Sequence, residues 1–424
     1  MPPEPLPEGA SAPPPSWDAP FSRRRDLLVA IAGVVLLAAV IHPFPERFVF
    51  RNGGDCVRYL TWSRVVANRW ILAFPGLVDE YRHRWVGFPP PTRWVWLMLI
   101  AVAMRAWPHA SDEYHPLVLL SWLGAVLSVA AVGYWLRRGA PAGAVVVALV
   151  LLATSPLSRA MGHFPLPDAL HTLLCILLFA FTAEWLAAPR PAMLWALGVI
   201  TLLVLATRET GIINVLGAGV LVAVDARQRG RLRLAPLWAL LGGCVAMVLI
   251  TVPLAGGPVQ TVRLAYDVVH AALYTSGAMM YATGPYYRYL VDFMVVSPVV
   301  VVTALVALSP LRRGPERDLV DQVLWPTVTV LALFSVLTKT LRYVLVVDAG
   351  MRILVALAVW TVYRRPSRWG RWLAVALLVA LVAHDLLIYR PLWGKDQIYD
   401  PVTWGLTKYL KMIPSFGSPG PPVE

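Results

Sequence analysis

Long apolar runs dominate this chain and restrict it to the interior of a membrane. A helix needs about 20 apolar residues to cross a bilayer, and the sequence offers a succession of runs near that length: 27–41, 92–106, 117–136, 142–158, 169–187, 192–207, 210–226, 235–254, 288–309, 322–338, 343–362 and 372–389. Hydrophobic residues fill 58% of the 424 positions, and the mean hydropathy is +0.63. Because lipid cannot satisfy exposed backbone groups, these runs are expected to be helices. The sequence therefore predicts an all-α polytopic membrane protein.

Arginine clusters between the runs predict how the chain threads through the membrane. Cytoplasmic loops carry an excess of Lys and Arg, and the clusters lie at 23–25, 137–138, 227–233, 312–317 and 364–371. All of them fall on the cytoplasmic side only if the run 92–106 does not cross. That run is short, follows three prolines and contains two arginines, so we expect a juxtamembrane or re-entrant helix there. About 11 transmembrane helices remain, with the N-terminus inside and the C-terminus outside.

The same reasoning divides the chain into three parts. Residues 1–22 are rich in proline and are expected to be disordered. Residues 23–390 are expected to form the membrane domain, with a first outer loop at 43–116, and residues 391–424 a short outer tail. The net charge of +13 comes largely from the cytoplasmic clusters, so it does not indicate a nucleic-acid partner. The three cysteines form neither a metal motif nor an obvious disulfide framework.

The first outer loop contains the longest polar stretch of the chain, residues 51–91. Helical spacing places one stripe of side chains on a common face: Asp55, Tyr59, Trp62 and Val66. This pattern predicts an amphipathic helix along the membrane surface, with Asp55 at an N-terminus that favours negative charge. Two interpretations of Asp55 stay open. It either caps the helix or serves as a functional carboxylate.

The predicted topology collects further polar residues at the outer face. Asp168 opens a span after a turn that contains His163, and it is either an N-cap or a second carboxylate facing the first loop. Arg208 and Glu209 are neighbours at a span end, and one interpretation is that they pair with each other. These residues would lie on the same side of the membrane as Asp55.

One cation lies on the side that the arginine bias disfavours. Arg342 and Tyr343 begin a span at its outer end. The arginine either snorkels to the interface or holds an anionic head group or phosphate. No apolar run has a charge at its centre that suggests an ion path.

Two clusters of acidic residues and histidines in the first outer loop contain the residue types that bind metal ions, but their spacing fits no strong metal-binding motif. They are Asp79, Glu80 and His83, and His109, Asp112, Glu113 and His115. A solvated loop is the simpler interpretation of each. Whether the protein binds a divalent metal ion is left open.

Five pieces of the sequence occur in the order seen in a known family. They are Asp55 with Tyr59 and Arg64; Gly87-Phe88-Pro89-Pro90 with Trp94 and Trp96; Ser155-Pro156 with Pro167-Asp168-Ala169-Leu170; Gly284-Pro285-Tyr286-Tyr287 with Tyr289-Leu290; and Arg342-Tyr343-Val344-Leu345. Together they resemble the GT-C superfamily of membrane glycosyltransferases, in its protein-mannosyltransferase and aminoarabinose-transferase-like branch. The chain departs from the branch at Cys56, where a second acid is frequent, and at Gly87-Phe88, where a charged pair is frequent.

The resemblance implies transfer of a hexose or pentose from a polyprenyl-phosphate donor to a lipid, glycan or protein acceptor. The reaction would take place on the outer face of a bacterial cytoplasmic (inner) membrane, invert the anomeric centre and need no cofactor. Asp55 would be the general base and Asp168 the second acid. The expected substrate-binding residues are Tyr59, Arg342, Tyr343, Arg208, His163 and Glu80.

Two other functions stay open on the residues alone. A transporter or flippase for a lipid-linked sugar would need a polar path, and usually repeated halves. A non-catalytic envelope scaffold would need neither, and the departures from the family motifs are compatible with it.

Overall fold

The computed structural model describes residues 24–41, 54–84, 89–110, 112–274, 285–337 and 340–389. The expected tails at 1–22 and 391–424, and the motif residues Gly87, Phe88 and Gly284, lie outside this part of the chain. Within it, every regular element is helical.

The helices follow one another in this order: α1 (Arg24–Ile41), α2 (Gly54–Arg69), α3 (Phe74–Arg84), α4 (Trp94–Ala106), α5 (His115–Leu136), α6 (Ala142–Ala153), α7 (Pro156–His163), α8 (Asp168–Ala187), α9 (Pro191–Thr207), α10 (Gly211–Arg229), α11 (Leu234–Leu254), α12 (Pro258–Tyr274), α13 (Arg288–Val296), α14 (Pro298–Arg312), α15 (Arg317–Val336), α16 (Leu345–Tyr363) and α17 (Arg368–Tyr389). Short 3₁₀ helices at Trp70–Ala73 and Leu341–Val344 precede α3 and α16. The predicted all-α class is confirmed.

Seven helices of the described part are long and apolar enough to cross a membrane, namely α5, α8, α10, α11, α15, α16 with its 3₁₀ turn, and α17. The pairs α6–α7 and α13–α14 each qualify as one bent span, with bends of 50° and 116°, which raises the number to 9. Three shorter apolar helices are α1, α4 and α9. The predicted count of about 11 is reached if α1 and α9 cross and α4 does not. The chain is thus a multi-pass membrane protein.

Prolines explain why the two bent spans break. Pro156 and Pro298 are the first residues of α7 and α14, and a proline disfavours helical geometry in the residue before it. Ser155 and Ser297 accordingly leave the helical region. The Ser155 hydroxyl also caps α7, accepting a hydrogen bond from the Ser158 amide at 3.1 Å.

A close backbone contact fixes the position of α8 against α5. A Cβ atom on Gly124 would lie only 2.5 Å from the backbone nitrogen of Leu170, so only glycine allows the two helices to approach this far. Leu170 stands two residues after Asp168 at the start of α8. The contact therefore sets the depth at which Asp168 enters the bundle.

Helices α2, α3 and α4 cover one end of the bundle. The predicted stripe of α2 is confirmed as its buried face, since Tyr59, Trp62 and Val66 are fully buried. Arg58, which does not belong to that stripe, is buried as well. It donates to Glu80 at 3.1 Å, and its guanidinium lies 5.5 Å from the centre of the Trp62 ring. We call this end of the bundle the site end.

The predicted topology can be tested by cysteine labelling. Five spans separate His109 from Arg231 if α9 crosses the membrane, because α5, the pair α6–α7, α8, α9 and α10 lie between them. In a background with Cys56, Cys175 and Cys244 replaced by alanine, we expect H109C to react with an impermeant maleimide in intact cells. R231C should react only after permeabilisation.

Both exposed positions lie outside the helices, so the substitutions should leave the fold intact. Labelling of the two positions from the same side would mean that α9 does not cross. The count of about 11 spans would then be wrong.

Candidate active site

Six charged side chains from distant segments meet at the site end. The start of α2 contributes Asp55, and the start of α8 contributes Asp168. Arg93 directly precedes α4, and Arg342 lies in the 3₁₀ turn before α16. Arg208 and Glu209 lie in the segment that joins α9 to α10. The structure thus brings together four of the residues that the sequence selected, Asp55, Asp168, Arg208 and Arg342.

Asp55 and Arg342 form the accessible pair of this cluster. Both terminal nitrogens of Arg342 lie 3.4 Å from the Asp55 Oδ2 atom. The Asp55 side chain is 34% exposed, whereas the Arg342 side chain is 14% exposed. A ligand that enters from solvent can therefore reach both the carboxylate and the guanidinium.

Asp168 is held between two arginines in the interior. Its Oδ1 atom accepts a hydrogen bond from Arg208, and its Oδ2 atom lies 4.0 Å from Arg342. The residue is 1% exposed. Its charge is thus compensated from both sides, and the carboxylate orients the two guanidinium groups relative to each other.

The ring of Tyr343 packs against both of these cations. Its centre lies 3.8 Å from the Arg208 guanidinium carbon and 5.3 Å from that of Arg342. The negative face of an aromatic ring attracts such groups. Burial lowers the pKa of Arg208 to about 10; Tyr343 opposes this shift, whereas the positive charges of Arg93 and Arg342 reinforce it. Arg208 is therefore still protonated at neutral pH.

Glu209 pairs with Arg93 and Arg208 pairs with Asp168, so the interpretation of the two neighbours as a self-paired couple is wrong. The Arg93 Nε atom donates to Glu209 Oε2 at 2.8 Å, and a second nitrogen donates to Oε1. The remaining terminal nitrogen of Arg93 donates to the Tyr59 hydroxyl. Arg208 has an extended backbone (φ −159°, ψ 129°), and successive side chains of an extended segment point in opposite directions. Arg208 and Glu209 therefore point away from each other, and each binds a different partner.

Arg93 strongly perturbs the ionisation of Glu209. Burial alone would raise the pKa of the Glu209 carboxyl, but the charge and hydrogen bonds of Arg93 outweigh it and lower the pKa to about 2. Since Tyr59 belongs to α2 and Glu209 joins α9 to α10, Arg93 fastens the helix that carries Asp55 to the rest of the bundle.

The structure places the two remaining candidates in other pairs. His163 ends α7, and its Nδ1 atom lies 3.0 Å from the Tyr389 hydroxyl at the end of α17. Glu80 belongs to α3 and accepts from Arg58. The four-residue group near α5 forms a turn in which His115 stacks on Trp107 and Glu113 pairs with Arg64. Across the described ranges, no group of three or more His, Cys, Asp or Glu side chains could hold a metal ion.

A second charged network lies deeper in the bundle, and sequence reasoning missed it. The guanidinium of Arg352 is fully buried. It donates to Asp348 at 2.8 Å, to Asp385, to the Leu151 carbonyl at 3.0 Å and to the Ser297 hydroxyl at 3.1 Å. The spacing of Asp348 and Arg352 by four residues within an apolar run was the available signal, because such residues face each other on a helix.

This network joins the breaks of both bent spans. Ser297 is the break residue between α13 and α14, and Leu151 supplies a carbonyl from the last turn of α6. Ser155, at the other break, donates to Asp348 at 2.7 Å. Interrupted helices are tolerated at membrane depth only where the freed polar groups are satisfied within the protein. Arg352 and Asp348 meet that requirement and hold α16, which begins just after Arg342, between the two bends.

The fold is shared with membrane proteins of known structure at low sequence identity. ArnT from Cupriavidus metallidurans bound to undecaprenyl phosphate aligns with a TM-score of 0.54 and 18% identity, over 92% of this chain and 76% of ArnT. The oligosaccharyltransferase AglB from Archaeoglobus fulgidus, in complex with an inhibitory peptide and a dolichol-phosphate, aligns with a TM-score of 0.56 and 13% identity, over 95% of this chain and 61% of AglB. No protein-family model matches the chain, and no curated protein matches its sequence.

These likenesses extend over nearly the whole chain and show that it has a GT-C-like fold. The expectation that rested on five short motifs is thereby confirmed at the level of the fold. The roles of the individual residues remain predictions.

The lowered pKa of Glu209 predicts how the stability of the site end depends on pH. The folded-state pKa of about 2 lies below the ordinary value of 4.5, so the Arg93–Glu209 pair stabilises the fold fully above pH 4.5. This contribution is lost as the pH falls towards 2. We expect Glu209→Gln to reduce the free energy of unfolding at pH 7 by on the order of 3 kcal/mol, the free energy that corresponds to the lowered pKa of Glu209.

Thermal unfolding in detergent between pH 7 and pH 3 would measure this effect. The melting temperatures of variant and wild type should converge as the pH falls below 4.5. Glu113→Gln is the matched control, because Glu113 and its partner Arg64 are both half exposed and such pairs contribute little. Equal melting temperatures of Glu209→Gln and wild type at pH 7 would contradict the prediction.

Proposed function

We propose that this protein with a GT-C fold is an inverting glycosyltransferase. It moves a sugar from a polyprenyl-phosphate donor to a hydroxyl or amine of an acceptor, at the non-cytoplasmic face of a bacterial cytoplasmic membrane. One observation carries the proposal: an accessible carboxylate, Asp55, lies 3.4 Å from the guanidinium of Arg342, at the end of the helix bundle. The lipid phosphates bound to ArnT and AglB support a donor of the same class.

Arg342 is the proposed phosphate ligand. Both of its terminal nitrogens face one oxygen of the Asp55 carboxylate, and a planar guanidinium can donate two such N–H groups to two oxygens of a phosphate. Arg208 adds a second positive charge nearby, and Tyr343 packs against both arginines. Arg208 and Arg342 balance the charges of Asp168 and Asp55, so a positive charge becomes available to an anion once Asp55 moves away from Arg342.

Donor binding would also release the base. Phosphate and Asp55 compete for the same face of Arg342, so an arriving phosphate displaces the carboxylate from the guanidinium. The freed Asp55 is then available to the acceptor. In this scheme, the base becomes active only after the donor has bound.

The chemistry then follows in one displacement. The acceptor oxygen or nitrogen attacks the anomeric carbon, and its proton passes to Asp55. The bond between that carbon and the phosphate oxygen breaks, and the electron pair leaves with the polyprenyl phosphate. Arg342 stabilises the charge that develops on the leaving oxygen. A single displacement inverts the anomeric configuration.

The remaining residues of the cluster position these groups. Asp168, which the resemblance implies as the second acid, is 1% exposed, so its proposed role is to hold Arg208 and Arg342 in place. Arg93 fixes Tyr59 and therefore the start of α2. His163 and Glu80, which belong to other pairs, have no assigned step in this mechanism.

The role of Asp55 predicts a large loss of turnover on neutralisation. Asp55→Asn keeps the shape of the side chain but removes its basicity, so transfer should fall about a hundredfold or more. Donor affinity should be retained, because the competitor for Arg342 has been weakened. The measurement is sugar transfer by purified protein with a polyprenyl-phosphate sugar in excess and a panel of acceptors.

Asp79→Asn is the matched control, since Asp79 is an exposed acid of the same outer segment, and it should transfer at the wild-type rate. Wild-type transfer by Asp55→Asn would remove Asp55 from the mechanism. If wild-type protein transfers no sugar to any acceptor, while donor flips across vesicles, the protein is a transporter. If neither activity is found, the scaffold function is favoured.

The role of Arg342 predicts a loss in donor affinity as well as in turnover. A phosphate is charged in both the ground state and the transition state, so its ligand contributes to both. Arg342→Lys keeps the positive charge but loses the planar guanidinium that can bind two phosphate oxygens, and Arg342→Ala loses both. Donor affinity should fall at least tenfold in Arg342→Ala, the scale of one charge-assisted hydrogen bond, and less in Arg342→Lys.

Binding of undecaprenyl phosphate to the purified variants measures this directly. Arg84→Ala, an exposed arginine of α3, is the control and should bind like wild type. If Arg342→Ala bound donor normally and only gave less folded protein, Arg342 would be a structural anchor, and the phosphate site would have to be sought at Arg208.

A further inference from the structure

A cleft of about 570 Å³ opens at the site end, beside the proposed active site. It lies between the second half of α2, the end of α4 and the loop that enters α5. Its polar and aromatic lining consists of Arg64, Asn68, Arg105, Trp107 and Glu113. The proposed mechanism uses none of these residues.

The cleft has an uncompensated positive charge. Its one lining carboxylate, Glu113, already pairs with Arg64. Arg105 has no carboxylate within ion-pair distance in the part of the chain that the structure describes. Its guanidinium instead lies over the ring of Trp70, 4.5 Å from the ring centre. A cation held by an aromatic face keeps its hydrogen-bond donors available for an anionic ligand.

Trp70 holds Arg105 from a strained backbone position. Its φ of +52° is the one positive value among the non-glycine residues described, and a bulky residue rarely adopts this conformation. The turn places the indole against α4 directly after the end of α2. Such strain persists where the surrounding structure enforces it, and it concentrates at ligand-binding sites.

An aromatic surface completes the lining. Trp107 stacks on His115, with ring centres 5.5 Å apart and planes 9° from parallel, and 37% of its surface remains exposed. A rigid indole of this kind offers an apolar face on which the C–H side of a sugar ring can pack. Asn68 and Arg64, on the opposite wall, supply hydrogen-bond donors for hydroxyl and acidic groups.

We propose that this cleft binds an anionic saccharide, namely the part of the acceptor that lies behind its reacting hydroxyl. The identification as acceptor rests on the proposed transferase function. Arg64 follows Asp55 by nine residues on the same helix, a rise of about 13 Å at 1.5 Å per residue. An acceptor of a few sugar units therefore spans from the base to the cleft, and its carboxylate or phosphate groups meet Arg105.

The selectivity of the cleft can be measured without any turnover. Purified protein in detergent is titrated with trigalacturonic acid, which has a carboxylate on every ring, and with neutral maltotriose, using isothermal calorimetry. We expect the acidic trisaccharide to bind at least tenfold more tightly than the neutral one. Its affinity should fall as salt is added, because exposed charges are screened.

Arg105→Gln should weaken binding of trigalacturonic acid at least tenfold, without affecting undecaprenyl phosphate. Arg69→Gln is the matched control. It removes the same charge from an exposed position near the end of α2, outside the cleft lining, and should leave both affinities unchanged. In transfer assays with an acidic acceptor, Arg105→Gln should raise KM and leave kcat unchanged.

Three results would overturn the proposal: no binding of trigalacturonic acid, equal binding of maltotriose, or equal loss in Arg69→Gln and Arg105→Gln. Binding of a short-chain phosphatidylglycerol in place of the trisaccharide, dependent on Arg105, would identify a lipid head-group site and would also overturn the proposal. Failure of the transferase function is a separate outcome. In that case Arg105 governs trisaccharide binding, but no sugar is transferred to any acceptor.

Discussion

Ionised side chains at the site end must meet an opposite charge, because an unpaired ion in a protein interior costs several kcal/mol. Asp168 meets Arg208, and Glu209 meets Arg93. Each pair joins segments far apart in the chain, and Arg93, which also donates to Tyr59, fastens α4 and α2 to the segment between α9 and α10. Asp55 faces Arg342, but its side chain is 34% exposed, and the proposed mechanism depends on the exchange of this partner for a ligand.

The sequence predicted the fold, and which charged residues lie close together, better than it predicted the individual contacts between them. Asp168 and Arg342 could be selected from the sequence because each is a charged residue at the end of an apolar run, where a charge indicates a cap, an anchor or a ligand-binding role. The arginine clusters, which mark the cytoplasmic loops, placed both residues on the opposite, outer side of the membrane. Nothing local indicated that Arg208 and Glu209 would turn away from each other, since that depends on an extended backbone between two helices. The sequence signal at Arg93 was only that a charged residue disfavours a membrane crossing by the run 92–106.

The bent spans show the same limit of sequence reasoning. Pro156 and Pro298 mark the positions of the breaks, and a break before each proline could have been predicted. The angles of 50° and 116° could not, because they depend on what the freed groups bind. Arg352 supplies donors to both breaks from a third span. Such a network is invisible to a window that averages hydropathy, since one arginine and one aspartate hardly change the mean of an apolar run.

The deep network also has consequences for biogenesis. Insertion of a charged residue at the centre of a helix into the bilayer is penalised by roughly 2.5–3.5 kcal/mol. Asp348 and Arg352 lie on one helix, four residues apart, so α16 leaves the translocon with its charges already neutralised against each other. Asp385 arrives on α17 after a link of only four residues, 364–367, and finds its partner on the helix just synthesised. The last two spans are therefore suited to partition into lipid as a hairpin, after the bends that receive them have been made.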